Sequence, residues 1–495
     1  MAKIKLSPFL KNILTTTVTS LISIISLIFI MRFLAKGLGP EEFGAYSLAR
    51  RIISNIIPIA ALSLNISLAR FIAMTERKDQ RGSYVVSSII STGAALSLLV
   101  IIAVSAGPQL SFLIFHSHEY LSLYYASLFL LAGCCIFTIT YAYFRGMQKF
   151  NTANSLQLVL MAFIPLIISY FFASRKNLSL IMFLMGLAFY LSLIPLVLII
   201  RETKLPRLSD IKSSMKQLLK YTLPRVPAGF ISAGLLTLGP FLAGLILGLE
   251  EAGYFVIGQS VFRVMESAIV GFGLVALPKV SQLLSEDRAG FLKSKIEDML
   301  VMIFQLGLFA TIHTFIWSKE IVLVWLGSEY VEAVSVMQIL IISMAPYLGY
   351  VILRSIIDAV EFRAINTLNL FVSFVIAAVA SIIFVYTGFG ITGLAIATTI
   401  GYVILGVMTC FYLIRRYKTS LKHFMFLWVI SLNILSAGFV LLVKPLLASY
   451  LNLSNLLIAG FIIECVLFLC YLYFFHKKGI RWFSELRKRI FSETN

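Results

Sequence analysis

The stretch GLGPEEFGAYSLARR at residues 37–51 decides the fold of this chain, because it returns as LGLEEAGYFVIGQS at residues 247–260. NSLQL at residues 154–158 likewise returns as NTLNL at residues 366–370, so a shift of roughly 209 residues relates two halves of the sequence. Such a repeat predicts two similar structural halves. At this shift Lys11, Gly39, Glu41, Glu42, Gly44 and Arg70 match Lys220, Gly248, Glu250, Glu251, Gly253 and Lys279.

The composition is typical of a polytopic membrane protein with an all-α fold. Of the 495 residues, 60% are hydrophobic and only 13% are charged. Apolar stretches near the roughly 20 residues that cross a bilayer follow one another along the chain. We predict about 14 transmembrane helices. Their approximate spans are 12–36, 46–70, 83–107, 120–143, 151–173, 179–201, 217–248, 251–278, 296–318, 331–357, 364–387, 390–414, 422–448 and 453–475.

The repeat also predicts the orientation of the two halves. Each copy holds six spans, an even number, so both copies enter the bilayer with the same orientation. We therefore predict two parallel six-helix bundles related by a pseudo-twofold axis, at residues 1–205 and 206–418. Residues 419–495 add two extra helices, whose one acidic residue is Glu464, and a basic tail. A substrate path between the two bundles is the leading hypothesis.

The net charge of +19 raises the question of nucleic-acid binding. When loops are assigned alternately to two sides, about 31 of the 41 Lys and Arg fall on the side of the N-terminus and about six on the other. Such an excess marks cytoplasmic loops, so the charge orients the chain in the membrane, and we expect no nucleic-acid partner. Both termini and the linker 201–216 are predicted to be cytoplasmic. The loops around Glu41, Glu119, Glu250 and Glu329 are predicted to be outside.

The sequence indicates no cofactor, metal or ATP-hydrolysing site. A phosphate-binding loop of the form GxxxxGK[ST] is absent from the sequence. The five cysteines all fall inside predicted spans and are interpreted as packing residues. His116 and His118 beside Glu119 are a weak metal signal. We expect neither a cofactor nor an enzymatic activity.

Polar residues inside the apolar spans are the candidate site. A charge at the centre of a membrane helix costs about 2.5 to 3.5 kcal/mol, so it usually faces protein or water. At 100° per residue, the second and eighth predicted spans each carry a polar stripe along one face. The stripe of the second span comprises Ser47, Arg51, Ser54, Pro58 and Asn65, with Arg50 at its edge, and that of the eighth comprises Gln259, Arg263 and Glu266.

These charged residues also have structural interpretations. Arg50 and Arg51 lie near the start of their helix and could extend to the outer headgroups. Arg263 could form an ion pair with Glu266, three residues later, which would be either its neutralising partner or a proton-coupling group. Arg32, at the end of the first span, lies off the polar face of its helix, which favours extension to the headgroups.

The seventh predicted span differs from the others because proline and glycine interrupt it. Proline removes a backbone hydrogen bond, so this helix is expected to bend or break, as substrate-lining helices of carriers often do. Arg225 shares one of its faces with Tyr221 and Ser232, and is a further candidate for substrate binding. Close packing through small residues is the alternative explanation.

The two repeated stretches, GSEY at residues 327–330 and the arrangement of two six-helix halves plus two helices resemble one transporter family. It is the polysaccharide-transporter branch of the multidrug/oligosaccharidyl-lipid/polysaccharide exporter superfamily. The resemblance covers nearly the whole chain. It implies a Wzx-type flippase, which moves undecaprenyl-diphosphate-linked oligosaccharides to the outer leaflet of the bacterial inner membrane for O-antigen, capsule or exopolysaccharide assembly.

The resemblance also implies roles for individual residues. Related lipid II flippases carry arginines in helices 1, 2 and 8 around a central cationic cavity. By that resemblance, Arg50 or Arg51 would match the helix 2 position and Arg263 the helix 8 position. Arg32 is the candidate for helix 1. The implied partners are the lipid-linked oligosaccharide, membrane lipids and proteins of polysaccharide polymerisation and assembly.

The chemistry of the candidate residues agrees with such a substrate, and the alternatives are an antiporter, a glycosyltransferase or ligase, and a scaffold for a synthesis complex. Arginine binds diphosphates through bidentate, charge-assisted hydrogen bonds, and Ser, Asn and Gln bind sugar hydroxyls. A multidrug antiporter would need a buried carboxylate in the first or seventh span, and neither contains one. A glycosyltransferase or polysaccharide ligase would use acids in outer loops such as Glu41 and Glu42. Their duplication in the repeat favours a role at helix N-termini instead.

Overall fold

The computed structural model describes residues 8–203, 206–265, 289–360, 364–419 and 423–477. Within these ranges the chain forms helices joined by short turns, and no strand occurs in them. In chain order the helices are α1 (Pro8–Leu38), α2 (Pro40–Ala60), α3 (Leu64–Ala73), α4 (Lys78–Ser105), α5 (Gly107–Phe115), α6 (Leu121–Gly146), α7 (Phe150–Arg175), α8 (Leu178–Thr203), α9 (Leu208–Leu247), α10 (249–265), α11 (Ala289–Trp325), α12 (Ala333–Ile341), α13 (Met344–Val360), α14 (Ile365–Tyr386), α15 (Gly390–Tyr417), α16 (His423–Ala448) and α17 (Leu453–Lys477).

The helices confirm the predicted class of polytopic all-α membrane protein. In the described part of the chain, 11 helices are long and apolar enough to cross a membrane, and two bent helix pairs raise the number to 13. The predicted eighth span, 251–278, coincides with α10 as far as residue 265, and its remainder lies outside the described residues. The predicted number of 14 spans therefore stays a prediction.

The second predicted span, 46–70, is broken in the structure into α2 and α3, which are bent by 50°. Leu62 and Ser63 at the break both have φ of 49°, a left-handed conformation that costs residues with side chains about 1 to 2 kcal/mol each. The amide of Ser63 donates to the carbonyl of Pro58 over 2.8 Å. The buried hydroxyl of Thr222 on α9 lies 2.9 and 2.8 Å from the carbonyl oxygens of Leu62 and Ser63. The single hydroxyl proton of Thr222 on α9, donated to these two carbonyl oxygens, thus stabilises the break.

Packing divides the chain into two units. The N-terminal unit comprises Thr15–Ile257 and Phe374–Thr398, and the C-terminal unit comprises Met1–Leu14, Gly258–Ser373 and Thr399–Asn495. These borders differ from those of the sequence repeat. The repeat relates segments of similar sequence, whereas the units group segments that pack together. The division into 1–205, 206–418 and 419–495 therefore stays a prediction.

In the N-terminal unit, the two copies of the repeated stretch contact each other at glycines. Gly39 and Gly248 precede α2 and α10 with φ of 86° and 124°, conformations that favour glycine. A Cβ atom added to Gly44 would lie 1.7 Å from the carbonyl oxygen of Leu249. The starts of α2 and α10 therefore touch backbone to backbone. Their first turns carry the paired acids Glu41, Glu42, Glu250 and Glu251, in agreement with the predicted place of these acids at helix N-termini.

In the C-terminal unit, the two extra helices α16 and α17 pack on α11 through polar contacts. The carboxylate oxygen Oε2 of Glu464 lies 2.7 Å from Nδ1 of His313, and the indole of Trp317 donates to Oε1 over 2.8 Å. The indole hydrogen bond satisfies one oxygen of a carboxylate that lipid cannot hydrogen-bond, and the imidazole lies beside the other. Glu464 thus has its partners on α11. Further contacts to α11 are those of Asn433 with Gln305, Ser436 with His313, and Lys444 with Glu320.

Candidate functional site

Arg51 on α2 is buried in the N-terminal unit, with 8% of its surface exposed. Its Nη1 donates to the backbone carbonyl of Leu236 on α9 over 3.0 Å. Pro240 lies four residues after Leu236 and has no N–H with which to bond this carbonyl. Arg51 therefore supplies the donor that Pro240 lacks. Asn55, one turn later on α2, donates to the hydroxyl of Thr237, so α2 and α9 are joined by side-chain hydrogen bonds at two successive turns.

This contact makes a testable prediction about Arg51 and Pro240. We expect Arg51→Leu to lower the free energy of unfolding by about 1 to 2 kcal/mol, because the Leu236 carbonyl loses a charged donor. In a Pro240→Ala background the cost should be smaller, because the alanine amide can bond Leu236 within the helix. Unfolding of the four proteins of this double-mutant cycle in detergent measures the coupling. Equal costs in the two backgrounds would contradict the assigned role.

The other predicted polar residues of the second span are more exposed. Arg50 is partly exposed, and within the described ranges no carboxylate lies at ion-pair distance from it. Ser54 is exposed, and its hydroxyl donates to the carbonyl of Arg50 over 2.9 Å. Asn65 is also exposed but belongs to α3, so the stripe predicted for one straight helix ends at the break before it. Arg32 is half-buried on α1.

Gln259 is fully buried in the C-terminal unit and does not belong to an exposed stripe. Its Nε2 donates to the hydroxyl of Tyr402 on α15 over 2.9 Å. The ring of Tyr402 stacks on Phe262, with centroids 5.0 Å apart and 13° between the planes. Gln259 therefore orients an aromatic cluster inside this unit. Periodicity alone did not show that a neighbouring helix covers this side of α10.

Arg263 lies one turn after Gln259, and its side chain is exposed. In the parts of the chain that the structure describes, no carboxylate lies at ion-pair distance from its guanidinium. Glu266, the partner expected from the sequence, lies outside the described residues. An arginine in an apolar helix is tolerated where water or an anion solvates it. The exposed guanidinium of Arg263 is therefore open to water or to an anion.

Arg225 forms a cluster with two residues, one of which the sequence analysis did not select. It ends the 3-10 turn Leu223–Arg225 within α9, and its Cζ lies 3.8 Å from the centroid of the Tyr221 ring. Arg70 of α3 lies over the same ring, with its Cζ 4.7 Å from the centroid, and donates to the Tyr221 hydroxyl over 2.8 Å. The repeat in the sequence could have pointed to Arg70, because the matching position of the second copy also holds a cation, Lys279.

Three solved structures with a similar fold are named as a flippase or as transporters. The lipid II flippase MurJ in an inward closed conformation has a TM-score of 0.75 and 17% identity, over 94% of this chain and 100% of that one. An inward-facing multidrug resistance MATE family transporter of the MOP superfamily has a TM-score of 0.67 and 15% identity, over 81% of this chain and 98% of its own. A MOP superfamily transporter from Pyrococcus furiosus has a TM-score of 0.56 and 16% identity, over 82% and 96%. At sequence identities this low, these similarities show a shared fold alone.

The family itself follows from the sequence. A comparison with curated proteins finds no match. The profile of the polysaccharide biosynthesis protein family matches residues 9–284, which is more than half of the chain. This chain therefore belongs to the polysaccharide biosynthesis protein family.

Proposed function

We propose that this protein is a flippase that moves a polyprenyl-diphosphate-linked oligosaccharide from the inner to the outer leaflet of the bacterial inner membrane. The observation that carries the proposal is Arg263. It is an exposed guanidinium in a mainly apolar helix, and the described residues place no carboxylate at ion-pair distance from it. A guanidinium stays charged at physiological pH and binds a diphosphate in bidentate fashion.

Family and fold support the same class of substrate. The chain belongs to a family described by polysaccharide biosynthesis. It also shares its fold over 94% of its length with a structure named as a lipid II flippase, and lipid II is a lipid-linked substrate. A surface polysaccharide such as O-antigen, capsule or exopolysaccharide is the product class that we propose. Proteins of polysaccharide polymerisation and assembly would receive the translocated lipid-linked oligosaccharide.

In the mechanism that we propose, the protein shields the headgroup while the polyprenyl tail stays in lipid. Arg263 contacts the diphosphate, and polar side chains contact sugar hydroxyls. Arg51 has a different role, because its bond to Leu236 holds α2 on α9. Access alternates between the two sides of the membrane as the two repeated bundles rearrange. The basic linker and both termini lie on the cytoplasmic side, where the substrate enters.

Drug antiport is the second candidate function, because the fold also resembles that of a MATE transporter. A cation-coupled antiporter of this kind would need a carboxylate in the first or seventh span to hold H⁺ or Na⁺. Residues 12–36 and 217–248 contain neither Asp nor Glu. This composition favours the flippase.

Reconstitution into liposomes tests the proposal. The substrate is a fluorescent oligosaccharide linked to undecaprenyl diphosphate, and a membrane-impermeant quencher reports the fraction in the outer leaflet. Labelling of a cysteine introduced beside Glu329 determines how many molecules are inserted in each orientation. We expect protein-dependent translocation of the diphosphate-linked glycan. The same glycan on undecaprenyl monophosphate is the matched control, and it should move more slowly because it offers fewer acceptors to arginine.

One result would refute the flippase. If the liposomes export a cationic drug against a proton or sodium gradient but leave the lipid-linked glycan in place, the protein is an antiporter.

A further inference from the structure

Two arginines from different helices lie on one tyrosine ring in the N-terminal unit. We call this arrangement, formed by Arg70, Tyr221 and Arg225, the Tyr221 cluster. The Cζ atoms of Arg225 and Arg70 lie 3.8 and 4.7 Å from the ring centroid. Arg70 donates to the Tyr221 hydroxyl, and Arg225 donates to the Tyr221 carbonyl. Both arginine side chains are exposed. The two Cζ atoms therefore lie no more than about 8.5 Å apart, and the cluster presents two exposed guanidinium groups to one ligand.

The ring that carries them is fixed from within the fold. Phe71 contacts Tyr221 edge to face, with centroids 6.0 Å apart, and stacks on Tyr84 at 5.3 Å. Tyr84 is 3% exposed, and its hydroxyl donates to Gln217 of α9 over 2.9 Å. This packing holds α3 against α9 at the point where the two arginines meet. The position of the cations is thus set by the fold as well as by their own side-chain rotamers.

The charges of the cluster are not neutralised by the protein. Across the described ranges, no carboxylate lies at ion-pair distance from Arg70 or Arg225. Asp79, an acid on the neighbouring helix α4, is already bonded to Arg77 over 2.5 Å. Two guanidinium groups beside one ring repel each other, and an anion that bridges them removes this repulsion. Each guanidinium has five N–H donors, of which the contacts above use one.

We propose that the Tyr221 cluster is a binding site for phosphate groups, and that its ligand is the diphosphate of a lipid-linked substrate before translocation. A diphosphate offers two anionic centres, one for each of the two guanidinium groups that share the Tyr221 ring. The cluster lies at the end of the unit where the basic linker 201–216 joins α8 to α9, the end that we expect on the cytoplasmic side. The diphosphate identity rests on the proposed function, whereas phosphate binding does not.

A second source of the same chemistry is the phosphate of an anionic phospholipid. The experiment therefore uses inorganic pyrophosphate as the probe and two kinds of nanodisc, one of phosphatidylcholine and one that also contains phosphatidylglycerol. All proteins carry Arg263→Ala, so that Arg263 does not contribute to the binding that calorimetry measures. The variants are Arg70→Gln, Arg225→Gln and the double substitution.

Arg145→Gln is the matched control. Arg145 is an exposed arginine that also lies over a tyrosine ring, with its Cζ 5.7 Å from the Tyr141 centroid, and among the described residues no second arginine lies over that ring. It is at the same end of the unit, because the adjacent Gly146 packs against Ala69 and Ile72 of α3. Tyr221→Phe keeps the ring and removes only the hydroxyl to which Arg70 donates. Thermal unfolding of each variant shows whether the fold is retained.

In phosphatidylcholine we expect the double substitution to weaken pyrophosphate binding at least tenfold, and Arg145→Gln to change it less than twofold. Tyr221→Phe should give an intermediate loss. If the affinity for pyrophosphate is the same in nanodiscs with and without phosphatidylglycerol, the result supports the substrate diphosphate as the ligand. If phosphatidylglycerol lowers the affinity of the parent protein but not that of the double variant, a phospholipid headgroup occupies the same site. Pyrophosphate binding that is absent, or that survives in the folded double variant, would overturn the phosphate site.

This result can be separated from the proposed function. If the protein binds pyrophosphate through the Tyr221 cluster but does not translocate the lipid-linked glycan, the phosphate site stands and the flippase is refuted. If translocation occurs and the double variant binds like its parent, the flippase stands and this site is refuted.

Discussion

Replacement of Arg263 by alanine is expected to reduce translocation of the lipid-linked glycan by about 100-fold or more. A hydrogen bond to a charged group contributes about 1.5 to 3 kcal/mol, and each 1.4 kcal/mol corresponds to a factor of ten. Arg263→Ala removes both bonds of a bidentate contact to the diphosphate. Arg263→Lys keeps the charge but loses the planar fork, so a reduction of about tenfold is expected. Initial rates in the proteoliposome assay measure both effects.

Folding must be controlled in this experiment. Arg175→Ala removes another exposed arginine, which lies over Phe172 with its Cζ 5.0 Å from the ring centroid, and should leave the translocation rate unchanged. All three variants should insert and unfold like the parent protein, because the side chain of Arg263 is exposed. A full rate in Arg263→Ala, or a loss that is fully explained by less folded protein, would return Arg263 to a structural role.

Gly44→Ala is expected to cause the largest loss of stability among the substitutions considered. The added Cβ would lie 1.7 Å from the carbonyl oxygen of Leu249, a backbone atom that cannot rotate away. Overpacking usually costs about 1 to 3 kcal/mol, and we expect this contact to exceed that range, because two helix starts must separate. Gly253→Ala, with 2.6 Å to the carbonyl oxygen of Pro40, should be less severe. Thermal unfolding in detergent measures which of the two substitutions lowers the unfolding temperature more.

Gly93→Ala is the matched control for this prediction. Gly93 lies inside α4, and a Cβ there would meet no atom within 4 Å. Alanine is the better helix former by about 1 kcal/mol, so stability should be unchanged or slightly higher. If Gly44→Ala unfolds at the same temperature as Gly93→Ala, the backbone contact between α2 and α10 does not hold the helices together as described.

Much of the fold follows from the sequence, because apolar stretches of membrane-spanning length are a strong signal. The helices α4, α6, α14 and α17 begin and end within a few residues of the predicted spans. The break between α2 and α3 was not predicted. Its residues Leu62 and Ser63 are not glycines, and the hydroxyl that stabilises their carbonyls belongs to Thr222, which is 160 and 159 residues away in the chain. Helical periodicity contains no information about such a distant partner.

The sequence predicts which polar residues lie inside the apolar helices, but it does not predict what each of them contacts. Periodicity placed Arg51 and Gln259 on polar stripes, yet the structure shows both buried and bonded to neighbouring helices. Pro240 is one of the prolines that interrupt the seventh predicted span. That Arg51 bonds the carbonyl which Pro240 leaves without a donor follows only from the packing of α2 on α9. Arg263 is exposed, as a substrate-binding role requires. That role stays a prediction.

The contact of Glu464 with α11 has a consequence for how the protein is made. During synthesis, α11 enters the membrane before α17, and Trp317 is separated from Glu464 by 147 residues of chain. A charge at the centre of a membrane helix costs about 2.5 to 3.5 kcal/mol on insertion, and this cost is offset only when the helices meet inside the bilayer. A ribosome that stops before α17 releases a chain in which His313 and Trp317 lack their carboxylate. The polar contacts between α11 and α17 can therefore form only after α17, the last of the described helices to be synthesised, has entered the membrane.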